Sequence, residues 1–206
     1  MSNCTIISAG DIDDFHALKS STLNSYIICA DGGYIHAVNA GIYPDVVIGD
    51  FDTFTGELST DIECIRYPSE KDDTDTMLAI KLALERGYRN INIFGAMGGR
   101  FDHTYANIQA LAYATVHGCT AKIIGGAVTI TYIKDDRIVL PSMNGIFSVF
   151  AYSDICEGVT ISGAKYPLDR ATITSTFPIG TSNQFNGQDV EISVEHGSLL
   201  IVITKI

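Results

Sequence analysis

Short apolar runs recur through about the first 125 residues and alternate with longer stretches of mixed polarity. The runs are rich in β-branched residues, which is typical of strands buried in a parallel sheet. They occupy residues 5–8, 26–30, 46–48, 64–67, 91–94 and 122–124. Each of these runs is predicted to form a strand.

Two of the stretches between these strands have helical spacing. In residues 75–86 and in residues 103–117, apolar side chains recur every three or four positions. Thr74 and Asp102 are candidate N-caps, and a glycine follows each stretch where a left-handed C-terminal cap is expected. Strands that alternate with helices predict a mainly parallel sheet flanked by helices.

The pattern changes after Gly125-Gly126. Helical periodicity disappears, while β-branched residues and turn signals such as Asn186-Gly187 and His196-Gly197 recur. We therefore predict an α/β domain over residues 1–126 and a C-terminal all-β, sandwich-like domain over residues 127–206.

Four acidic or glycine-rich segments each follow a predicted strand. They cover residues 31–33, 49–53, 70–75 and 95–103. In an open α/β sheet, the loops beyond the carboxyl ends of the strands form the ligand crevice. All four segments are therefore expected at one place.

The first candidate chemistry is a pair of carboxylates, Asp50 and Asp52. If residues 50–52 are extended, both side chains project to the same side and can hold one cation, with Phe51 turned into the core. Magnesium suits such oxygen ligands. The pair is a candidate magnesium site.

The second candidate lies at the start of the first predicted helix. Asp72 and Asp75 are three residues apart, so we expect them on one helix face near the positive end of the dipole, with Lys71 beside them. These carboxylates can complete a metal shell. Lys71 can meet a phosphate.

The third candidate is the glycine-rich run over residues 95–103. Its glycines let backbone N–H groups approach a phosphate just before a helix. Arg100 adds a guanidinium that can donate two parallel hydrogen bonds. Asp102 or His103 either contacts a nucleotide or has only a structural role in the helix. The residues alone leave both alternatives open.

Charge limits the classes of partner. The formal net charge of −11 disfavours nucleic acid and anionic membrane surfaces, and no basic patch offsets it. A polyphosphate can still bind if carboxylates hold a divalent cation, because the ion then dominates the local field. The composition thus agrees with a metal-dependent nucleotide site.

The cysteines and the N-terminus bear on location. The five cysteines are scattered and never form a C-x-x-C pair, which argues against disulfides and a thiolate zinc site. We interpret them as small buried apolar residues. With no secretory signal and no apolar run long enough to span a membrane, a cytoplasmic location is expected.

Taken one at a time, these segments have ordinary structural explanations. Residues 31–33 alone favour a turn, Asp50 with Asp52 a solvated strand end, and residues 70–75 an exposed capping segment. A lone glycine pair is weak evidence for a phosphate loop, and His103 at a helix start is more often structural than catalytic. The occurrence of four such segments, each directly after a strand of one predicted sheet, favours a ligand site.

The ordered set of motifs resembles that of the thiamine pyrophosphokinase family. In this chain the motifs are Asp31-Gly32-Gly33, Gly49-Asp50-Phe51-Asp52-Thr53, Lys71-Asp72-Asp73-Thr74-Asp75, Gly98-Gly99-Arg100-Phe101-Asp102-His103 and Gly180-Thr181-Ser182-Asn183. Each motif is unspecific alone, but the ordered set is specific. Thr53 is a departure, because the family often has serine there, although the hydroxyl is retained.

The resemblance implies an α/β nucleotide domain followed by a β-sandwich. It implies transfer of a pyrophosphoryl group from ATP to the hydroxyl of thiamine, which gives thiamine diphosphate and AMP with magnesium as cofactor. It also implies a homodimer whose thiamine site lies at the subunit interface. Ser182 and Asn183 would bind thiamine there, close to the metal cluster of the partner chain.

The resemblance also implies roles for individual residues. The residues expected to hold magnesium are Asp50, Asp52 and Asp75, with Lys71 completing the catalytic set. The residues expected to line the nucleotide pocket are Asp31, Gly32, Gly33, Asp72, Gly99, Arg100, Asp102 and His103. One carboxylate of the metal site can take the hydroxyl proton.

Two other functions remain open at this stage. One is a related magnesium-dependent phosphotransferase that accepts a different alcohol. The other is a noncatalytic calcium-binding module, although no run of this chain fits an Asp-x-Asp-x-Asp-Gly loop followed by a glutamate.

Overall fold

The computed structural model describes residues 3–51, 61–68, 70 and 72–206 of the chain. Two compact units divide the chain, Met1–Gly126 and Ala127–Ile206. The first contains strands and helices in alternation, and the second contains strands. The predicted fold class, an α/β domain followed by an all-β domain, is confirmed.

In its described residues, the first unit contains the six predicted strands and four helices. The strands are β1 (Asn3–Ile7), β2 (Ser25–Ala30), β3 (Val46–Gly49), β4 (Glu63–Arg66), β5 (Asn90–Phe94) and β6 (Thr120–Ile124). The helices are α1 (Phe15–Thr22), α2 (Gly33–Ala40), α3 (Asp75–Glu85) and α4 (Phe101–Val116). All strand predictions agree with these bounds within two residues.

All pairings between these six strands are parallel, in the spatial order β6-β5-β1-β2-β3-β4. The chain therefore runs outward from β1 to β4 on one side and then continues with β5 on the other side of β1. The order of strands reverses between β1 and β5. Such a reversal leaves a crevice beyond the carboxyl ends of these two strands.

Helices cover the sheet because its strands are apolar on both faces. Ile7, Cys29 and Val47 are fully buried and form one cluster with residues of α1 and α2, such as Leu18 and Ala37. Adjacent strand residues alternate in direction, so their neighbours face the opposite side. Helix α3 packs on β1, β2 and β3, and also on α4, which packs against β6.

The helix ends agree only partly with prediction. The Thr74 side chain accepts a hydrogen bond from the backbone N–H of Met77 and caps α3 as predicted. The prediction that Asp102 caps α4 is wrong, because the helix begins at Phe101 and its N-cap is Arg100. Asp102 lies instead in the first turn, where a carboxylate still interacts favourably with the helix dipole.

The prediction of five buried cysteines is wrong at one position. Cys4, Cys29, Cys119 and Cys156 are buried, whereas Cys64 is exposed. Cys64 lies on β4, which pairs with β3 at the edge of this sheet. A strand at an edge has less of its surface covered, so an apolar residue there need not be buried.

The second unit contains eight strands. They are β7 (Val128–Lys134), β8 (Arg137–Leu140), β9 (Gly145–Ala151), β10 (Ile155–Ser162), β11 (Leu168–Thr174), β12 (Asn183–Gln184), β13 (Val190–Ser193) and β14 (Ser198–Lys205). They form two antiparallel groups, in the orders β12-β9-β14-β7 and β11-β10-β13-β8. A common core that includes Phe147 and Ile161 contains residues of both groups, as in a sandwich.

The turn at His196-Gly197 separates β13 from β14 at the predicted position. It does not form a hairpin, because β13 pairs with β8 and β10 while β14 pairs with β7 and β9. Turn residues alone do not indicate whether successive strands pair. Among the described residues, no helix has the length and apolar character needed to span a membrane.

Candidate active site

A cavity of about 390 Å³ opens at the carboxyl ends of β1, β2 and β5. Its walls are the loops that follow these strands and the first turns of α3 and α4. It therefore lies where the strand order reverses, which is the position expected for a ligand site in such a sheet.

The loops after β1 and β5 are joined beyond the ends of both strands. The backbone N–H of Gly10 donates to the Gly95 carbonyl (2.7 Å), and that of Asp11 donates to the Met97 carbonyl (3.0 Å). A Cβ on Gly10 would stand 2.6 Å from the Gly95 oxygen, which is too close for any other residue type. The rim of the cavity on this side is thus fixed by backbone contacts.

Two buried polar contacts lie at the inner end of the cavity. The hydroxyls of Ser8 and Thr76 are 2.9 Å apart and join the end of β1 to the first turn of α3. The Asn107 amide donates from Nδ2 to the Ala96 carbonyl (2.9 Å). This bond holds the glycine-rich loop against α4.

Asp31 lines the cavity, whereas Gly32 and Gly33 are not among the described lining residues. It follows β2 with a φ of +45°, a left-handed conformation that is uncommon outside glycine, and its N–H donates to the Ile48 carbonyl (2.8 Å). Gly32 is the N-cap of α2, where it provides no side-chain cap. A Cβ on Gly33 would stand 1.9 Å from the Ile7 oxygen, so Gly33 allows α2 to pack closely on β1.

Asp75 also lines the cavity, as the first residue of α3. The prediction that Asp72 shares a helix face with Asp75 is wrong, because Asp72 precedes the N-cap Thr74 and is exposed. The Lys81 ammonium contacts the Asp73 carboxylate (2.6 Å), and this ion pair raises the pKa of Lys81. Asp73 thereby fixes the segment that leads into α3.

Asp50 follows β3 directly and is half-buried. The expectation that residues 50–52 are extended is wrong at Phe51, whose φ is +61°. The Phe51 side chain does pack against the core of α1 and α2 as expected. Because one residue between the two carboxylates is left-handed, strand alternation does not indicate where Asp52 points.

Asp52, Thr53 and Lys71 lie outside the described residues. Within the part of the chain that the structure describes, no group of three or more His, Cys, Asp or Glu side chains is arranged to hold a metal ion. The magnesium set of Asp50, Asp52 and Asp75 therefore stays a prediction. Its chemistry is suitable, because Mg²⁺ needs only one or two carboxylates when water and phosphate complete its shell.

Gly99, Arg100 and His103 line the cavity, whereas Asp102 is exposed outside this lining. Arg100 donates from Nε to Asp102 Oδ1 (3.1 Å) and from Nη2 to Oδ2 (2.5 Å). These bonds lower the pKa of the Asp102 carboxyl and raise that of Arg100. The Arg100 guanidinium is therefore paired with a neighbouring carboxylate.

Several lining residues were not expected from the sequence, among them residues 8–11, Thr76 and Asn107. One signal could have found residues 8–11, because Ser8 ends the first predicted strand and residues 9–11 follow it at the same edge of the sheet. Asn107 gives no such signal. Its role depends on a contact with Ala96 that only the folded chain provides.

In the second unit, the predicted thiamine-binding residues differ in environment. Ser182 is exposed with a φ of +59°, and its N–H donates to Ser148 Oγ (3.0 Å). Asn183 is buried, and its amide accepts from the N–H of Tyr166 (3.0 Å) and donates to the Tyr166 carbonyl (2.7 Å). The Asn183 side chain therefore forms hydrogen bonds with both the N–H and the carbonyl of the Tyr166 backbone.

Models of known families match most of the chain. Residues 18–123 match the thiamin pyrophosphokinase catalytic domain, and residues 129–199 match the thiamin pyrophosphokinase vitamin B1 binding domain. The chain belongs to the thiamin pyrophosphokinase family. Its membership identifies the chain as an enzyme and confirms the resemblance drawn from the ordered motifs.

Individual members of the thiamin pyrophosphokinase family agree with this assignment. The chain is 31% identical over 182 residues to thiamine pyrophosphokinase of Bacillus subtilis, with 85% of each protein covered. A crystal structure of thiamine pyrophosphokinase from Bacillus subtilis has a TM-score of 0.91, with 26% identity and 99% of each chain covered.

A more distant thiamin pyrophosphokinase structure, from Candida albicans, has a TM-score of 0.82 at 17% identity. It covers 100% of this chain and 89% of its own. At this identity the similarity supports the fold alone.

Proposed function

We propose that the chain transfers a pyrophosphoryl group from ATP to the hydroxyl of thiamine, giving thiamine diphosphate and AMP. The observation that carries this proposal is the cavity at the strand reversal, which brings Asp31 and Asp75 to the same place as Gly99, Arg100 and His103. Membership of the family supports the choice of substrates. The α/β unit would hold the nucleotide and metal, and the β-unit would bind thiamine and form the dimer.

In the proposed reaction, the thiamine hydroxyl oxygen attacks the β-phosphorus of ATP. The bond between this phosphorus and the oxygen that bridges to the α-phosphorus breaks, and AMP leaves with that oxygen. The hydroxyl proton passes to a carboxylate of the site. Such transfers depend mainly on positioning and on neutralisation of charge.

Each proposed residue has a task in this scheme. Asp50, Asp52 and Asp75 would hold Mg²⁺, which supplies positive charge to the polyphosphate when it is bound. Lys71 and Arg100 would offset the remaining phosphate charge. For Arg100, this requires that the guanidinium exchange at least part of its pairing with Asp102 for a phosphate oxygen.

The test is to identify the products made from ATP with and without thiamine. We expect AMP and thiamine diphosphate in equal amounts, only when thiamine and Mg²⁺ are both present. ADP as the nucleotide product, or equal turnover with another alcohol in place of thiamine, would contradict the proposal. Asp75→Asn should abolish turnover while the protein stays folded, because asparagine has nearly the same size and shape as aspartate but lacks its negative charge.

A separate test concerns the metal. EDTA should remove turnover while leaving the melting temperature nearly unchanged, and added Mg²⁺ should restore turnover. A large fall in melting temperature would instead favour a structural cation. The proposal of a cytoplasmic enzyme agrees with the five cysteines, all of which are free thiols.

We also propose that the chain acts as a homodimer in which thiamine binds at the subunit interface. Ser182 would contact thiamine directly, and Asn183 would hold the adjacent backbone. Mixing two inactive variants, Asp75→Asn and Ser182→Arg, should restore part of the turnover if each site combines residues of two protomers. No recovery after exchange of subunits would contradict a shared site.

A further inference from the structure

The hydroxyls of Ser8 and Thr76 form a pair at the inner end of the cavity. Both residues line the cavity, and their exposed fractions are only 3% and 6%. Their oxygens are 2.9 Å apart, and either hydroxyl can be the donor. Among the described residues, neither side chain makes another hydrogen bond.

Each hydroxyl carries one hydrogen, so the pair has two hydrogens that each need an acceptor. The bond between them uses one of these hydrogens. The second has no acceptor within the described part of the chain, although the pair is largely shielded from solvent. A buried donor without an acceptor is unfavourable, which makes this hydrogen available to a ligand in the cavity.

The backbone around Thr76 adds a second donor. Thr76 is the second residue of α3, a helix of 11 residues, and an N–H at this position has no acceptor within its own helix. The cap provided by Thr74 serves the N–H of Met77 instead. The positive end of the helix dipole lies at the same place. A spare hydroxyl hydrogen and a backbone N–H are therefore both available as donors at this end of the cavity.

We propose that the Ser8–Thr76 pair binds a phosphate oxygen of the nucleotide. One hydroxyl donates its hydrogen to this phosphate oxygen. The other hydroxyl donates to the first and thereby orients it. An oxygen acceptor fits because the spare groups are donors, whereas an amino group of the base would need acceptors. Since the Asp75 carboxylate also lines the cavity, the phosphate must arrive as its magnesium complex. This inference rests on the proposed function.

The experiment measures binding of α,β-methylene-ATP with Mg²⁺ by calorimetry. Thr76→Val and Ser8→Ala remove one hydroxyl each with little change in volume. We expect the double variant to bind the analogue about tenfold more weakly, as for loss of one hydrogen bond to a charged group. The two single losses should not add, because the hydroxyls act as a unit. Thr76→Ser should retain affinity.

Thr5→Val provides a matched control. Thr5 is fully buried on β1, the strand that Ser8 follows, and its hydroxyl donates to the Ser21 carbonyl (2.9 Å) away from the cavity lining. This variant should lower the melting temperature without changing the affinity for the analogue. A similar loss of affinity in Thr5→Val would overturn the inference, since it would show a general structural effect.

Steady-state assays give a second readout. In the double variant, KM for ATP should rise more than kcat falls, and the melting temperature should stay high enough for assay. Unchanged affinity in a folded double variant would overturn the inference. If the wild type bound the analogue but made no AMP from ATP and thiamine, the proposed function would fail while the binding test of the pair still applied.

Discussion

Gly33→Ala tests whether the close packing of α2 on β1 explains why a glycine is required at position 33. Gly33 is the first residue of α2, and a Cβ there would stand 1.9 Å from the Ile7 oxygen and 2.6 Å from the Ile7 carbonyl carbon. Contacts below 3.0 Å are essentially never seen for a Cβ. The helix would therefore have to move away from β1 by about 1.1 Å, the difference between 3.0 and 1.9 Å.

Two opposing effects decide the size of the change in stability. Alanine favours the helix and restricts the unfolded chain, which is worth up to about 1 kcal/mol. A helix displaced by this distance loses a large part of its dispersion contacts, and forced shifts in a packed core cost about 1–3 kcal/mol. Tyr34 and Ala37 of α2 are buried in that core, so we expect a net loss of about 2 kcal/mol.

The assay is urea unfolding followed by circular dichroism, with nucleotide affinity measured in parallel. Gly87→Ala is the control, because among the described residues no heavy atom beyond its chain neighbours lies within 4 Å of its Cβ position, and its φ is +83°. In Gly87→Ala the free energy of unfolding should fall only by the cost of an alanine in the left-handed conformation, about 1–2 kcal/mol, with no movement of α3. Only Gly33→Ala should also weaken nucleotide binding, through Asp31. A Gly33→Ala variant as stable as the wild type would refute the packing argument.

Three further predictions concern single groups. The pKa of the Asp102 carboxyl, measured by NMR, should lie below the usual aspartate range, and Arg100→Gln should raise this pKa. Because the pKa is lowered in the folded state, the small stabilisation by the Arg100–Asp102 pair is present above the unfolded-state pKa. This stabilisation is lost as the pH falls through the folded-state pKa. Asn183→Ala should lower the stability of the folded protein by about 1–3 kcal/mol, since the Tyr166 backbone loses both partners, and an unchanged melting curve would contradict this. Cys64 should react with a thiol reagent at pH 8 before unfolding, whereas Cys4 should not, because burial raises its pKa to about 12; early reaction of Cys4 would be inconsistent with its placement.

The strands of the first unit could be predicted because each is a short apolar run between polar segments. Helices α3 and α4 could also be predicted, since 11 and 16 residues are long enough to show periodicity. Helices α1 and α2 have eight residues each, too few for a clear pattern. The start of α4 was misplaced because Gly98 and Gly99, both at positive φ, bring the chain into the helix before Asp102.

The candidate site could be located from the sequence, but its details could not. Parallel strands bring their following loops to one edge, so Asp31, Asp50, Asp75 and Gly99 were expected together. Asp31, Asp75 and Gly99 line the cavity, whereas Asp50 is not among its described lining residues. Strand alternation does not hold at Phe51, because a left-handed conformation at a non-glycine residue is set by tertiary contacts. The engagement of Asn183 with the Tyr166 backbone likewise depends on residues distant in sequence.

The joined loops after β1 and β5 have a consequence for ligand association. The amides of Gly10 and Asp11 are donors in hydrogen bonds outside any strand, so they should exchange with deuterium slowly for loop positions. A rim that is already ordered loses little conformational entropy when a ligand arrives. Nucleotide capture should therefore be limited by diffusion and desolvation rather than by rearrangement of this rim.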